Sequence, residues 1–208
     1  MAVGHLCPSC VGTGLSPRTL PADGLYGSPV PTDRDALLEI IRAEAIVLGK
    51  VRLSSGADAD YYVDLRRVTL SAAGAPLVGR VMLELTAGHQ YEAAGGLTLG
   101  ADPVAAAMLH AASAAGRRLD AYVVRKQGKA HGLQRRIEGP DVAGRRVLVV
   151  EDTSTTGGSV VSAVDALREA GAEPVAVAVL VDRGAEPAVR AAGLPYLAAY
   201  SIADLGLG

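Results

Sequence analysis

The chain has no tryptophan and no phenylalanine, and its 3% aromatic content comes from seven tyrosines. A core must therefore be assembled from Val, Leu, Ile and Ala, and any ring that stacks on a planar ligand has to be a tyrosine. Neither sign of charge is in large excess, since 20 Lys+Arg stand against 22 Asp+Glu for a net charge of −2. That balance argues against a general nucleic-acid or membrane-surface binder, which would carry a broad basic face. No apolar run approaches the ~20 residues that span a bilayer. The first residues also lack a basic segment leading into an apolar secretory core. The expectation is a cytoplasmic protein with no membrane and no nucleic-acid partner. Cysteine is scarce, confined to Cys7 and Cys10 in one CxxC. A structural zinc site needs two further ligands, and a redox pair should open a helix beside a strand; this pair sits among Gly, Pro and Ser. The two thiols are read as incidental.

What is present is an alternation of apolar segments over a length that suits one domain, 208 residues with 50% hydrophobic content. Residues 1–31, rich in Gly, Pro, Ser and Thr without hydrophobic period, read as a flexible extension, leaving 32–208 as the folded domain. Thr32-Asp33 is a helix-cap signal, followed by Leu37, Leu38, Ile41 and Ala45 at helical spacing. Lys50–Leu53 and Tyr61–Leu65 read as short strands around the turn Ser54-Ser55-Gly56. Helices are expected at about Ala75–Ala87, from Asp102-Pro103 to about Ala115, and over Ser159–Ala170 with Gly171 as the stop. Strands are expected near Ala94–Leu99, Ala121–Val124, Arg146–Val150 and Val175–Val181. Strands alternating with helices imply an α/β fold with a central parallel sheet covered by helices on both faces.

The most informative segment is VLVVEDTSTTGGS, Val147–Ser159. Four apolar residues make a buried strand whose carboxyl end carries Glu151 and Asp152, at the edge where open α/β sheets bind ligands. Thr153, Ser154, Thr155, Thr156, Gly157, Gly158 and Ser159 then lead into a helix whose unpaired amides favour an anion. The glycines let the backbone close around a phosphate, and the hydroxyls add donors. Two carboxylates beside an anion site repel it unless they bind something else; ribose hydroxyls or a Mg²⁺ ion would serve. The phosphate-binding GxxxxGK[ST] pattern is absent, and the glycine spacing does not fit a dinucleotide fingerprint. An ordinary strand-to-helix turn is the plain alternative, against which stand the paired acids and the dense Thr/Gly run.

A second segment, RKQGKAHGLQRR at Arg125–Arg136, holds five Lys/Arg, one His and no acid. Its glycines and polar character suit a mobile loop, and it follows the strand Ala121–Val124 at the same ligand-binding edge. A solvated charged face is the plain alternative, but a basic loop there can close over the site and neutralise developing negative charge.

Val147–Ser159 resembles the phosphoribosyl-pyrophosphate (PRPP) motif of the type I phosphoribosyltransferases. The resemblance implies that fold, with a small N-terminal hood and a mobile catalytic loop, and implies that Glu151 and Asp152 hold the ribose while Thr153–Ser159 hold the 5′-phosphate. YVVRKQGKAHGLQRRIEG resembles the catalytic loop of orotate phosphoribosyltransferases. On that match Arg125, Lys126, Lys129 and His131 bind pyrophosphate, with Lys129 and Asp152 the catalytic residues. The loop is implied to reach a neighbouring subunit's site, so a homodimer is expected, as is a need for Mg²⁺ without a metal site built from protein side chains alone. LSSGADADYYVDLRR is similar to the family's orotate-binding stretch and places Tyr61 and Tyr62 near the base; Thr155 and Arg183, the latter in VDRG, complete the implied orotate contacts. A guanidinium suits orotate, because it can hold a carboxylate with two hydrogen bonds. The expected activity is transfer of the 5-phosphoribosyl group from PRPP to orotate, in pyrimidine biosynthesis. Two positions depart from the family pattern: Ser54 stands where many relatives have Lys, and Leu99-Gly100 where they have Tyr-Lys. Backbone amides around Thr98–Ala101, or Arg66 and Arg67, are the candidates to compensate.

Overall fold

In the computed structural model, residues 31–52, 58–126 and 136–207 are described. The expected extension thus lies outside the described residues save for Pro31, as do the turn Ser54–Gly56 and the loop segment carrying Lys129 and His131. The first helix, α1 (Asp33–Ile40), is closed by a capping box in which Thr32 and Asp35 satisfy each other's backbone amides. It runs into one π-helical stretch, Ile41–Ala45. The strands β1 (Ile46–Arg52) and β2 (Asp58–Val63) pair antiparallel as a separate two-stranded sheet. β1 begins four residues before the sequence expectation.

The main sheet has six strands: β3 (Ala93–Leu97), β4 (Asp120–Val124), β5 (Ile137–Glu138), β6 (Arg146–Ser154), β7 (Glu173–Asp182) and β8 (Tyr196–Ser201). Their order is β5-β4-β3-β6-β7-β8, parallel throughout except for β5, which runs antiparallel to β4 at one edge. Between them lie α2 (Arg66–Thr69), α3 (Gly74–Leu85), α4 (Ala101–Ala114), α5 (Gly158–Glu169) and α6 (Glu186–Ala191). The short β5, α6 and β8 were not foreseen, and α4 is capped at Gly100, with Asp102 inside its first turn rather than ahead of it.

Alternation along the strands sorts side chains into two cores. Leu148, Val150, Ala176, Ala178 and Leu180 pack with α1, α3 and α4 on one face. Val147, Val149, Val177 and Val179 pack with α5 and α6 on the other. One of the few aromatic rings serves this framework: a Cβ on Gly95 would lie 2.6 Å from the Tyr122 ring, and the Tyr122 hydroxyl crosses β3 to donate to the Leu148 carbonyl at 2.9 Å. The chain builds β4 on one side of β3 and then returns to place β6 on the other. The β3/β6 boundary is therefore the topological switch point, where a crevice opens at the strands' carboxyl ends. Among the described residues no helix is long and apolar enough to cross a membrane.

Candidate active site

Because β3, β4, β6 and β7 are parallel, their carboxyl ends deliver four loops to one edge: Thr98–Gly100, Arg125-Lys126, Glu151–Ser154 and Arg183-Gly184. A cleft of about 340 Å³ opens there between the sheet and β2–α2, lined by Tyr62, Arg66, Thr98, Lys126, Glu151 and Asp152 among others.

Its floor is acidic. β6 continues beyond the expected Val150, so Glu151 and Asp152 are the sixth and seventh of its nine residues and remain 5% and 9% exposed. Burial pushes the Glu151 carboxyl well above the usual carboxylate range, and repulsion from Asp152 adds to this. Asp152 is likewise raised by burial, opposed by its bond from the Thr153 amide and by the Arg66 charge. Across from them, a Cβ on Gly100 would stand 2.5 Å from both the Glu151 and Asp152 carboxylate oxygens. That wall of the cleft is bare backbone here, and a side chain at this position would require the two acids to move. Thr98 donates to Asp102 at 2.7 Å, and the Thr98-Leu99 peptide is cis. Burial raises the Asp102 carboxyl, and its Oδ1 has no hydrogen-bond partner among the described residues; neither has the buried Thr153 hydroxyl. The crowded carboxyls and these unpartnered polar atoms leave a site with more acidic than basic side chains among its described lining residues.

The Thr153–Ser159 turn supplies an anion seat. Gly157 adopts φ +77° as the residue ahead of α5, and a Cβ there would also meet the Ala188 methyl at 2.7 Å, so only glycine suits the turn. No side chain caps α5, which leaves its first amides directed into the loop. Thr155, Thr156 and Ser159 are exposed beside them.

The residues expected to meet a base fall into separate groups. Arg183 follows β7 and its amide donates to the Ser154 carbonyl at 2.9 Å, so it and Thr155 flank the same turn. The Asp182 carboxylate accepts from the Gly184 and Ala185 amides and from the Tyr196 hydroxyl at 2.7 Å, bracing that turn. Sequence reading quoted Asp182 without giving it this task, although an acid two residues before glycine is an Asx-turn signal. Tyr62 lines the cleft, whereas Tyr61 on the opposite strand face packs against the α1/α3 core. Of the basic loop, Lys126 lines the cleft and Arg125 pairs with Glu138 at 3.5 Å. Lys129 and His131 lie outside the described residues.

No group of three or more His, Cys, Asp or Glu among the described residues could hold a metal alone. Glu151 and Asp152 still fit a Mg²⁺ ion that arrives with its substrate, since Mg²⁺ commonly takes one or two carboxylates and completes its shell with phosphate oxygens and water.

Comparison with known proteins agrees with this geometry. Residues 93–193 match the phosphoribosyl transferase domain family. An orotate phosphoribosyltransferase of Streptomyces avermitilis is 66% identical over 177 residues, covering 84% of this chain and 97% of that protein. Among solved structures, the Mycobacterium tuberculosis H37Rv orotate phosphoribosyltransferase in complex with Fe(III) dicitrate aligns with TM-score 0.77 and 56% identity, over 85% of this chain and all (100%) of that one. The same enzyme in complex with PRPP aligns with TM-score 0.74 and 50% identity over 85% of this chain and 100% of that one.

Proposed function

The chain belongs to the orotate phosphoribosyltransferases, type I members of the phosphoribosyl transferase family, and from that membership we propose how its residues carry the reaction. The activity is transfer of the 5-phosphoribosyl group from PRPP to orotate, forming orotidine 5′-monophosphate and pyrophosphate. The bond between ribose C1 and pyrophosphate breaks, with the electron pair leaving on pyrophosphate, and a bond forms between C1 and orotate N1, which reacts as the anion. Little proton transfer by the protein is needed, so the residues act by positioning and by stabilising charge.

The observation that carries the assignment is the pairing of two buried, adjacent carboxyls with an uncapped, glycine-hinged helix start on one strand end. Glu151 and Asp152 accept the ribose hydroxyls, and Thr153–Ser159 hold the 5′-phosphate. Arg183 and Thr155 take the orotate, with Tyr62 on the opposite wall. Tyr61, packed on the core, steadies that strand rather than stacking on the base. Arg125, Lys126, Lys129 and His131 neutralise the departing pyrophosphate, Lys129 foremost. Bound Mg²⁺ would offset pyrophosphate charge, held through Glu151 or Asp152 and the substrate's own oxygens. The working form is a cytoplasmic homodimer in which each basic loop serves the neighbouring site.

The test is steady-state kinetics of Lys129→Ala across a Mg²⁺ titration. Turnover should fall by about a hundredfold or more, the scale of losing a charged group at a developing anion, and chelation should abolish wild-type activity. Near-wild-type turnover would remove Lys129 from the mechanism.

A further inference from the structure

PRPP presents anionic groups at both ends, and the cleft offers few cations to meet them. Among the described residues lining it, only Arg66 and Lys126 are basic, against Asp64, Glu151 and Asp152. The wall opposite the acids is Gly100, which has no side chain to contribute and no space for one as the acids stand. The two arginines that follow β2 are not equivalent. Arg67 is exposed and borders a different groove with Glu39, Glu44 and Ser71. Arg66 turns into the cleft, its Nε donating to Asp64 at 2.8 Å and its Nη2 to the Tyr62 hydroxyl at 3.4 Å. One edge of its planar fork is thus fixed by protein, while Nη1 has no hydrogen-bond partner among the described residues beyond that fixed edge.

We propose that Arg66 is a pyrophosphate-binding residue, supplying from β2–α2 the positive charge that the bare Gly100 wall cannot. The inference rests on the PRPP reading above. With the 5′-phosphate seated at Thr153–Ser159 and the ribose on Glu151 and Asp152, the part of the cleft that remains is bounded by Arg66, Lys126 and Thr98–Gly100. Pyrophosphate occupies that part. A guanidinium pre-set by Asp64 and Tyr62 meets it with little loss of side-chain freedom, and two donors can engage neighbouring oxygens. Asp64 and Tyr62 act through Arg66 and are positioning residues.

Binding of PRPP, of pyrophosphate and of ribose 5-phosphate, each with Mg²⁺, is measured by calorimetry on the wild type, Arg66→Gln, Arg66→Lys and Arg67→Gln. Arg66→Gln should weaken PRPP and pyrophosphate by about tenfold to a hundredfold, the scale of a charge-assisted bond, and leave ribose 5-phosphate unchanged. Arg66→Lys should recover part of the loss, and Arg67→Gln should match the wild type. Unchanged pyrophosphate binding in Arg66→Gln overturns the proposal while leaving the PRPP reading intact. Equal weakening of ribose 5-phosphate also overturns it, since Arg66 would then act only by holding the site's shape. Wild-type protein that binds no PRPP would sink the underlying reading instead.

Discussion

Glu151 and Asp152 are adjacent acids placed where water is nearly excluded, and their protonation links the site to the stability of the fold. Burial, then the Asp152 charge, lift Glu151 from an ordinary 4.5 to about 9. Below about pH 4.5 the folded and unfolded chains both hold that proton. Between there and about pH 9 the folded protein keeps a proton the unfolded chain has released, so stability falls as pH rises through this window. Asp152 moves in the same direction. The ligand-free protein should therefore lose thermal stability from pH 5 to pH 9, and Glu151→Gln should flatten that slope. Melting curves of both proteins across the window check it, and identical slopes would show that Glu151 ionises freely. Ribose hydroxyls or a cation would relieve the same repulsion, so PRPP should stabilise the wild type more at high pH than at low.

At the scale of elements, each site loop is a strand end whose turn is set by one or two local devices. Gly157 turns β6 into α5, and Asp182 turns β7 towards α6 through its two backbone acceptor bonds and the Tyr196 hydroxyl. Burial alone would raise the Asp182 carboxyl, yet these donors hold it below the ordinary range. Asp182→Ala frees the turn that presents Arg183, and the KM for orotate should rise by roughly tenfold, as for the loss of charged hydrogen bonds. The KM for PRPP should move far less, because only the Arg183 amide, and not its guanidinium, is bonded to the proposed phosphate turn. A parallel rise in both constants would mean that β7 carries the phosphate turn as well. Elements of this kind were legible where a local signal exists: the Thr32 cap, the apolar run of β6 and the Gly171 stop all appear where expected. The two-residue β5 and the six-residue α6 were not, because they are too short for periodicity and form against tertiary neighbours, β5 against β4 and α6 against α5 and β8.

For the whole molecule, the proposed sharing of the basic loop has a consequence that no single chain can imitate. Lys129→Ala removes the cation proposed to act foremost in the loop and Asp152→Asn spoils the acidic floor, so each homodimer should be nearly inactive. When the two are unfolded together and refolded as a mixture, hybrid dimers should regain one intact site, giving about a quarter of wild-type activity in a statistical mixture of exchanged subunits. No recovery, with hybrids verified by mass, would place the loop over its own chain's site.

The amino-acid sequence by itself determined the α/β class, the ligand-binding edge and the family, because these follow from local patterns: apolar runs, a Thr/Gly turn after two acids, and a basic loop after a strand. The scarcity of aromatics likewise pointed to tyrosine as the ring available for structure or stacking; Tyr122 braces the sheet and Tyr62 lines the cleft. Only the tertiary structure decided between residues that look alike in one dimension. Tyr61 and Tyr62 alternate across a strand, so one enters the core and the other the cleft. Arg66 and Arg67 lie about 100° apart around a helical turn, so one faces the acids and the other a separate groove. The side-chain vacancy at Gly100 acquires meaning only beside Glu151 and Asp152, fifty residues away in sequence and brought together by the β3/β6 pairing.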